Sequence, residues 1–257
     1  MGKDINAAVR EVCLSFPETE ERPSRGSPDF RVRDKTFATY AVNHHGDGRI
    51  ALWLNAPDGA QRFYSENEAE YYFVPPYVGP RGWLGVELDK GLDWRTIAQR
   101  VREAYEKVAP ASLVRAIGQT IAIEPPTETI PDEQFDPLLA PHAKARLETL
   151  AEICLALPET AEGKQFGTPV FRAGKKTFCG AHRYGGRMHM EFWVGSDRQA
   201  MLTFDRRYSI PRYTGHNGWI NLDVEEQVDW DEVRGLVLES YRHFALKRML
   251  KALPAEA

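Results

Sequence analysis

Three cysteines in 257 residues are too few for a disulfide framework. Two of them, Cys13 and Cys154, fall at the same point of two similar apolar stretches, which reads as reduced core thiols. No apolar run approaches the roughly 20 residues that cross a bilayer. The opening Met1-Gly2-Lys3-Asp4-Ile5-Asn6 is polar and lacks the apolar centre of a secretory signal. These absences lead to the expectation of a cytoplasmic protein with no membrane partner. Missing too are a nucleophile elbow, a phosphate-cradling glycine loop, a zinc-protease helix and a convincing carboxylate pair. With no residue marked for catalysis, the expectation is a protein that is not an enzyme and uses no cofactor. Charge of one sign is scarce as well. The net charge of −4 disfavours a general polyanion binder.

What the chain does have is a repeat. Tyr77-Val78-Gly79-Pro80-Arg81-Gly82-Trp83 returns as Tyr213-Thr214-Gly215-His216-Asn217-Gly218-Trp219. An Asp-Trp pair follows each copy at the same distance (Asp93-Trp94, Asp229-Trp230), and a tyrosine follows that (Tyr105, Tyr241). Fixed spacing of rare residue types marks an internal duplication. The expected units are residues 1–109 and 142–257, each long enough to close its own core. Residues 110–141 hold six of the seventeen prolines and read as an extended acidic linker.

Within each unit an opening helix carries Ile5, Val9, Val12 and Cys13, or Leu147, Leu150, Ile153 and Cys154, and stops at Pro17 or Pro158. A hairpin follows around Phe30-Arg31 and Phe37, or Phe171-Arg172 and Phe178. A third strand comes next, then a short amphipathic helix. The repeated turn leads into another strand, and Asp93 or Asp229 caps a last helix. In the second copy Met188, Met190, Phe192 and Val194 alternate with Arg187, His189, Glu191 and Trp193, so one face is buried and the other available. Each unit is expected to be α+β, with helices on one face of an antiparallel sheet.

These residues carry a resemblance. The runs Leu157-Pro158-Glu159, Phe166-Gly167-Thr168-Pro169-Val170-Phe171-Arg172, Lys176-Thr177-Phe178 and Gly218-Trp219-Ile220-Asn221-Leu222-Asp223 resemble the MmcQ/YjbR-like family. The first half matches through Pro28-Asp29-Phe30-Arg31, Lys35-Thr36-Phe37 and Arg81-Gly82-Trp83. The resemblance implies a CyaY-like α+β unit and DNA binding by a double wing of β-hairpins. It departs from the family in being a tandem, which implies either a monomer acting as an intramolecular pseudo-dimer or a chain with one degenerate copy.

Charge is shared unequally. Residues 1–109 carry 15 Lys and Arg against 17 Asp and Glu, whereas residues 142–257 carry 17 against 15. Residues 163–190 contain six cations and no acid. The candidates for phosphate contact with double-stranded DNA are Arg172, Lys175, Lys176, Arg183, Arg187, Lys247 and Arg248. Cations on exposed strands also serve to block edge pairing, so both readings stand. Arg31/Arg172, Lys35/Lys176 and Arg49/Arg187 recur at equivalent positions, as either a shared binding role or a shared salt bridge would require. Alternatives from other classes are a small-molecule site in a groove between units, lined by Trp53, Trp193, Tyr77 and Tyr213, and a protein-interaction module using the sheet edges. Trp53 and Trp193 are read as exposed aromatics, and the repeated Tyr-Gly-Gly-Trp turn as a packing anchor. Cys179, His182, His189 and His216 fit no standard zinc spacing, so no metal is expected.

Overall fold

The computed structural model describes residues 3–24, 27–119, 122–184 and 186–254, with Tyr184 described by its backbone alone. Met1 and Gly2 of the polar opening, and Ile121 of the expected linker, lie outside the described residues. The chain divides into two compact units, Met1–Phe135 and Asp136–Ala257.

In the first unit Asp4 accepts a hydrogen bond from the Ala7 amide at 2.7 Å and so caps α1 (Ile5–Leu14). The helix buries Ile5, Ala8, Val9, Val12 and Cys13, the stripe its spacing requires. Four strands follow, β1 (Thr19–Ser24), β2 (Ser27–Val32), β3 (Lys35–Val42) and β4 (Ile50–Leu54). Then come α2 (Ala60–Asn67), β5 (Tyr72–Phe73), β6 (Leu84–Glu87) and α3 (Trp94–Val108). The last helix is capped by Asp93, which accepts from the Arg95 amide at 2.8 Å. The antiparallel sheet runs β1-β2-β3-β4-β6-β5, and Phe30, Phe37, Leu52, Leu54, Leu84 and Val86 on one face meet the helices in a single core.

Residues 110–141 are not the extended linker that proline and acid suggest. They form α4 (Ala111–Arg115) and α5 (Asp132–Phe135), and Ile123 and Ile130 between them are buried in the first core. Backbone bonds from Thr127 and Glu128 to the Lys3 carbonyl hold this segment beside the start of α1. Further on, Leu138 and Ala140 enter the second core. The apolar residues are spaced too far apart to show a period, yet Ile123, Ile130, Leu138 and Ala140 are all buried in a core.

The second unit repeats the first. It comprises α6 (Pro141–Leu155), β7 (Thr160–Gln165), β8 (Thr168–Ala173), β9 (Lys176–Tyr184), β10 (Arg187–Trp193), α7 (Ser196–Leu202), β11 (Tyr208–Ser209), β12 (Trp219–Asp223), α8 (Trp230–Phe244) and α9 (Lys247–Lys251). Its sheet order, β11-β12-β10-β9-β8-β7, is the same sequence of neighbours. Met188, Met190, Phe192 and Val194 face the core. Each sheet has six strands rather than four. The additional outer strands β1 and β7 are polar and edge-lying, without apolar alternation, and β5 and β11 are two residues each.

The repeated residues recur because their roles do. Tyr105 and Tyr241 are buried and donate their hydroxyls to the carbonyls of Pro17 and Pro158, at 2.7 and 2.8 Å, tying the long helix to the end of the first. In the repeated turn, Gly82 and Gly218 have φ of 81° and 83°, a conformation that costs a side chain energy. Gly79 and Gly215 are needed for a different reason: a Cβ there would strike Val74 or Ile210. The turn's tryptophan is its packing anchor in the first unit, where Trp83 is buried, and is half-buried in the second. Its tyrosine is not, since Tyr77 and Tyr213 are 67% and 76% exposed.

Candidate functional site

The helices cover one face of each sheet, which leaves the other as the surface where function can sit. Strand register aligns this second face residue by residue. In the first unit Asp29, Thr39, Trp53, Gly85 and Phe73 form one continuous row across β2, β3, β4, β6 and β5. In the second unit the row is Val170, Gly180, Glu191, Asn221 and Ser209. The counterpart of Trp53 is therefore Glu191 and not Trp193.

In the first row the acid and its partners close on one another, while Trp53 Nε1 is buried without a hydrogen-bond partner among the described residues. Asp29 is 7% exposed, accepts from Thr39 Oγ1 at 2.6 Å and takes Arg31 Nη2 at 3.0 Å. Trp53 is buried with Ala41, Ala51 and Trp83, which overturns its expected exposure. The Phe73 ring lies on Gly85, and the Arg49 guanidinium stands 4.3 Å above that ring. Tyr77 donates or accepts at His45 Nε2, 3.0 Å away.

In the second unit the expected cations separate into two sets. Arg183 pairs with Glu225 at 3.1 Å, Arg187 with Asp223, and Arg248 with both oxygens of Glu159, the shortest contact 2.6 Å. Arg49 and Glu87 form the same cross-strand pair in the first unit, at 2.7 Å, so the Arg49/Arg187 recurrence has a salt bridge as its cause. Hydrogen bonds from Arg248 hold the Glu159 carboxyl below its ordinary value. Burial pushes Asp223 and Glu225 upward, but their arginine and backbone donors outweigh it and leave both lowered.

The other set has no carboxylate partner among the described residues: Arg172, Lys175, Lys176 and Lys247, together with Lys164 on the neighbouring edge strand. Arg172 is the counterpart of Arg31, but Val170 stands where Asp29 would hold it. Its guanidinium instead lies across Gly163 and donates to the Lys164 carbonyl at 3.2 Å. A Cβ at Gly163 would collide with it. Lys175 and Lys176 are exposed at the turn between β8 and β9. This basic end combines β7, β8 and the β8–β9 turn. Lys247 lies at the start of α9.

Trp193 is half-buried, its ring stacked 3.4 Å from that of His243 and its Nε1 donating to the Asn217 carbonyl at 2.9 Å. It helps close the end of α8 and is not an open stacking platform. Cys179 is buried, which raises its thiol well above the usual range. His182 stacks on His189 at 5.4 Å, and burial lowers it to about 4. Among the described residues no group of three His, Cys, Asp or Glu side chains could hold a metal ion.

Sequence reasoning missed two features. Gln61 and Gln199 clamp the repeated turns, and Glu191 and Asn221 stand side by side on the second sheet. Gln61 and Gln199 could have been found as an identity between the two halves, upstream of the turn. The Trp53/Glu191 equivalence was also available, four residues beyond the Arg49/Arg187 pair in each half.

A family model described as YjbR matches residues 14–107 and, a second time, residues 155–243. No protein of curated function matches the chain.

Proposed function

The chain belongs to the YjbR family, as two successive copies of its unit, and on that premise we propose that the second copy binds the phosphate backbone of duplex DNA, weakly and with little base preference. The observation that supports this reading is the exchange of Asp29 for Val170. The same sheet position that neutralises Arg31 in the first copy leaves Arg172 without an acid in the second. Lys164, Lys175 and Lys176 extend the unpaired charge along one end of the sheet. A carboxylate that neutralises a cation competes with phosphate for it, so the exchange of Asp29 for Val170 leaves the Arg172 guanidinium available for backbone contact.

The hairpins β7–β8 and β8–β9 would serve as wings, and phosphate contacts of this kind set position without reading sequence. Arg183, Arg187 and Arg248, already paired, contribute less than their sequence charge suggests. The first copy then acts as a structural companion within one chain. The reading is of binding and not of catalysis, because its support is cation placement and no nucleophile-base pair enters it.

The test is fluorescence anisotropy of the full chain on duplex DNA over a salt series. Four unpaired cations at about 0.9 of a unit each give a log–log slope near −4. Failure to bind at low salt would remove the reading.

A further inference from the structure

Each unit leaves apolar side chains in water at the same place. Phe63 and Met201 stand two residues past Gln61 and Gln199 on α2 and α7, and Val74 and Ile210 follow β5 and β11. Tyr77 and Tyr213 open the repeated turns, and all six side chains are more than half exposed. In the second unit Phe204, whose amide bonds back to the Met201 carbonyl, is 91% exposed as well. These elements are tied together. Gln61 and Gln199 bond to the carbonyls of Gly79 and Gly215, and Val74 and Ile210 lie against those same glycines. β5 and β11 are the outermost strands at this end, and among the described residues no further strand covers them. Single exposed apolar residues are ordinary, but a group that recurs at one location in both units marks a contact surface.

The two surfaces differ in charge. Residues 60–77 hold one cation and three acids, whereas the matching residues 198–213 hold four cations and one acid. Glu70 stands two residues before β5, and Arg206 two residues before β11. Glu66 lies one helical turn past Phe63 and so shares its side of α2. Among the described residues Glu66 and Glu70 meet no cation, and Arg206 and Arg212 meet no carboxylate. Arg207, by contrast, is taken by Asp205 and Glu232. The Arg212 guanidinium stands 5.7 Å from the centre of the Tyr213 ring. An acidic rim on one apolar surface and a basic rim on its counterpart attract each other and repel their own kind.

We propose that this end of the first unit docks on the corresponding end of the second unit of another copy of the chain. A second copy fits because every copy carries both surfaces, one of each sign. The contact joins unlike surfaces, so two chains that make it twice form a closed pair. Its residues are separate from Arg172, Lys175 and Lys176, and the proposal does not rest on DNA binding.

Sedimentation equilibrium of the full chain over a concentration series, without DNA, tests it. The mass is expected to rise above that of one chain. Arg206→Glu with Arg212→Glu in one variant, and Glu66→Arg with Glu70→Arg in another, should each weaken self-association by about tenfold or more. Mixed together, the two variants again present opposite rims and should associate with each other. Met201→Ser with Tyr213→Ser removes the apolar part and should weaken association without touching charge. A parent chain that keeps the mass of one chain throughout overturns the proposal. So does self-association that any of the three variants leaves undiminished, or a mixture of the two charge-reversed variants that stays apart.

Discussion

Gln199 Nε2 lies 2.6 Å from the carbonyl oxygen of Trp219 and 2.7 Å from that of Gly215, so one amide nitrogen closes both ends of the repeated turn. Gln61 makes the same two bonds, to Trp83 and Gly79, at the same distances. Replacing Gln199 by leucine removes the donor and leaves two carbonyls with one partner fewer. The expected loss is about 1–3 kcal/mol, read from urea unfolding. An unchanged midpoint would mean that the turn is held by its glycines alone.

The two glycines at the end of that turn are not equivalent. Alanine at Gly82 meets no atom within 4 Å and suffers from its positive φ alone, whereas a Cβ at Gly218 comes within 2.8 Å of the Gly195 backbone. Gly82→Ala should cost about 1–2 kcal/mol, and Gly218→Ala more, because backbone must shift. Thermal melts of the two variants rank them, and a reversed order would contradict the packing described.

Ile130 tests where the first unit ends. Buried in the first core, it should cost about 2–5 kcal/mol when changed to alanine. A true linker residue would cost almost nothing. Equilibrium unfolding of the full chain distinguishes the two.

Two carboxylates on the second unit should respond to pH with opposite sign. Burial raises Glu191 above its ordinary 4.5, and a raised group stabilises the fold at low pH and loses that contribution as pH rises through its folded value. Glu191→Gln should therefore make the ligand-free protein more stable than the parent near pH 7, and the gain should shrink as pH falls below about 4.5. Glu225 is the reverse case. It accepts from Arg183 and from the Met188 amide at 2.7 Å, and it is lowered below 4.5. Glu225→Gln should lose stability at pH 7, a deficit that fades as acid protonates the parent's own carboxylate. Melting temperatures between pH 3 and 8 show whether the two variants diverge in this way.

The fold was legible in sequence where spacing is forced by geometry. Cys13, Cys154, Tyr105 and Tyr241 lie on core stripes of helices, and Asp93 and Asp229 stand at helix starts because unpaired amides need an acceptor there. The alternation from Met188 to Val194 gave the buried face of β10. Edge strands hid because Thr19–Ser24 and Thr160–Gln165 bury little, and nothing in their pattern distinguishes them from loop. The row positions were only half-visible: Arg49/Arg187 already set Trp53 level with Glu191, but not which residues cross the sheet. Trp53 and Trp193 look like a repeated residue, but register places Trp53 opposite Thr39 and Glu191 opposite Gly180. Pairing of cations is also invisible in a linear charge count. Arg187 and Arg172 are both basic strand residues, and only one has an acid across the sheet.

The most direct test of the account compares matched charge removals in one intact chain. Arg172, Lys175 and Lys176 are changed to alanine in one variant, and Arg31, Arg33 and Lys35 in another. Binding to duplex DNA is then followed by anisotropy over a salt series. In the first unit Arg31 is held by Asp29 and Arg33 by Glu18, both at 3.0 Å. The second-unit variant should flatten the log–log slope by about two to three units, roughly 0.9 for each lost phosphate contact, while the first-unit variant keeps the parent slope. Equal losses from the two variants, or a parent chain that does not bind, would contradict the account.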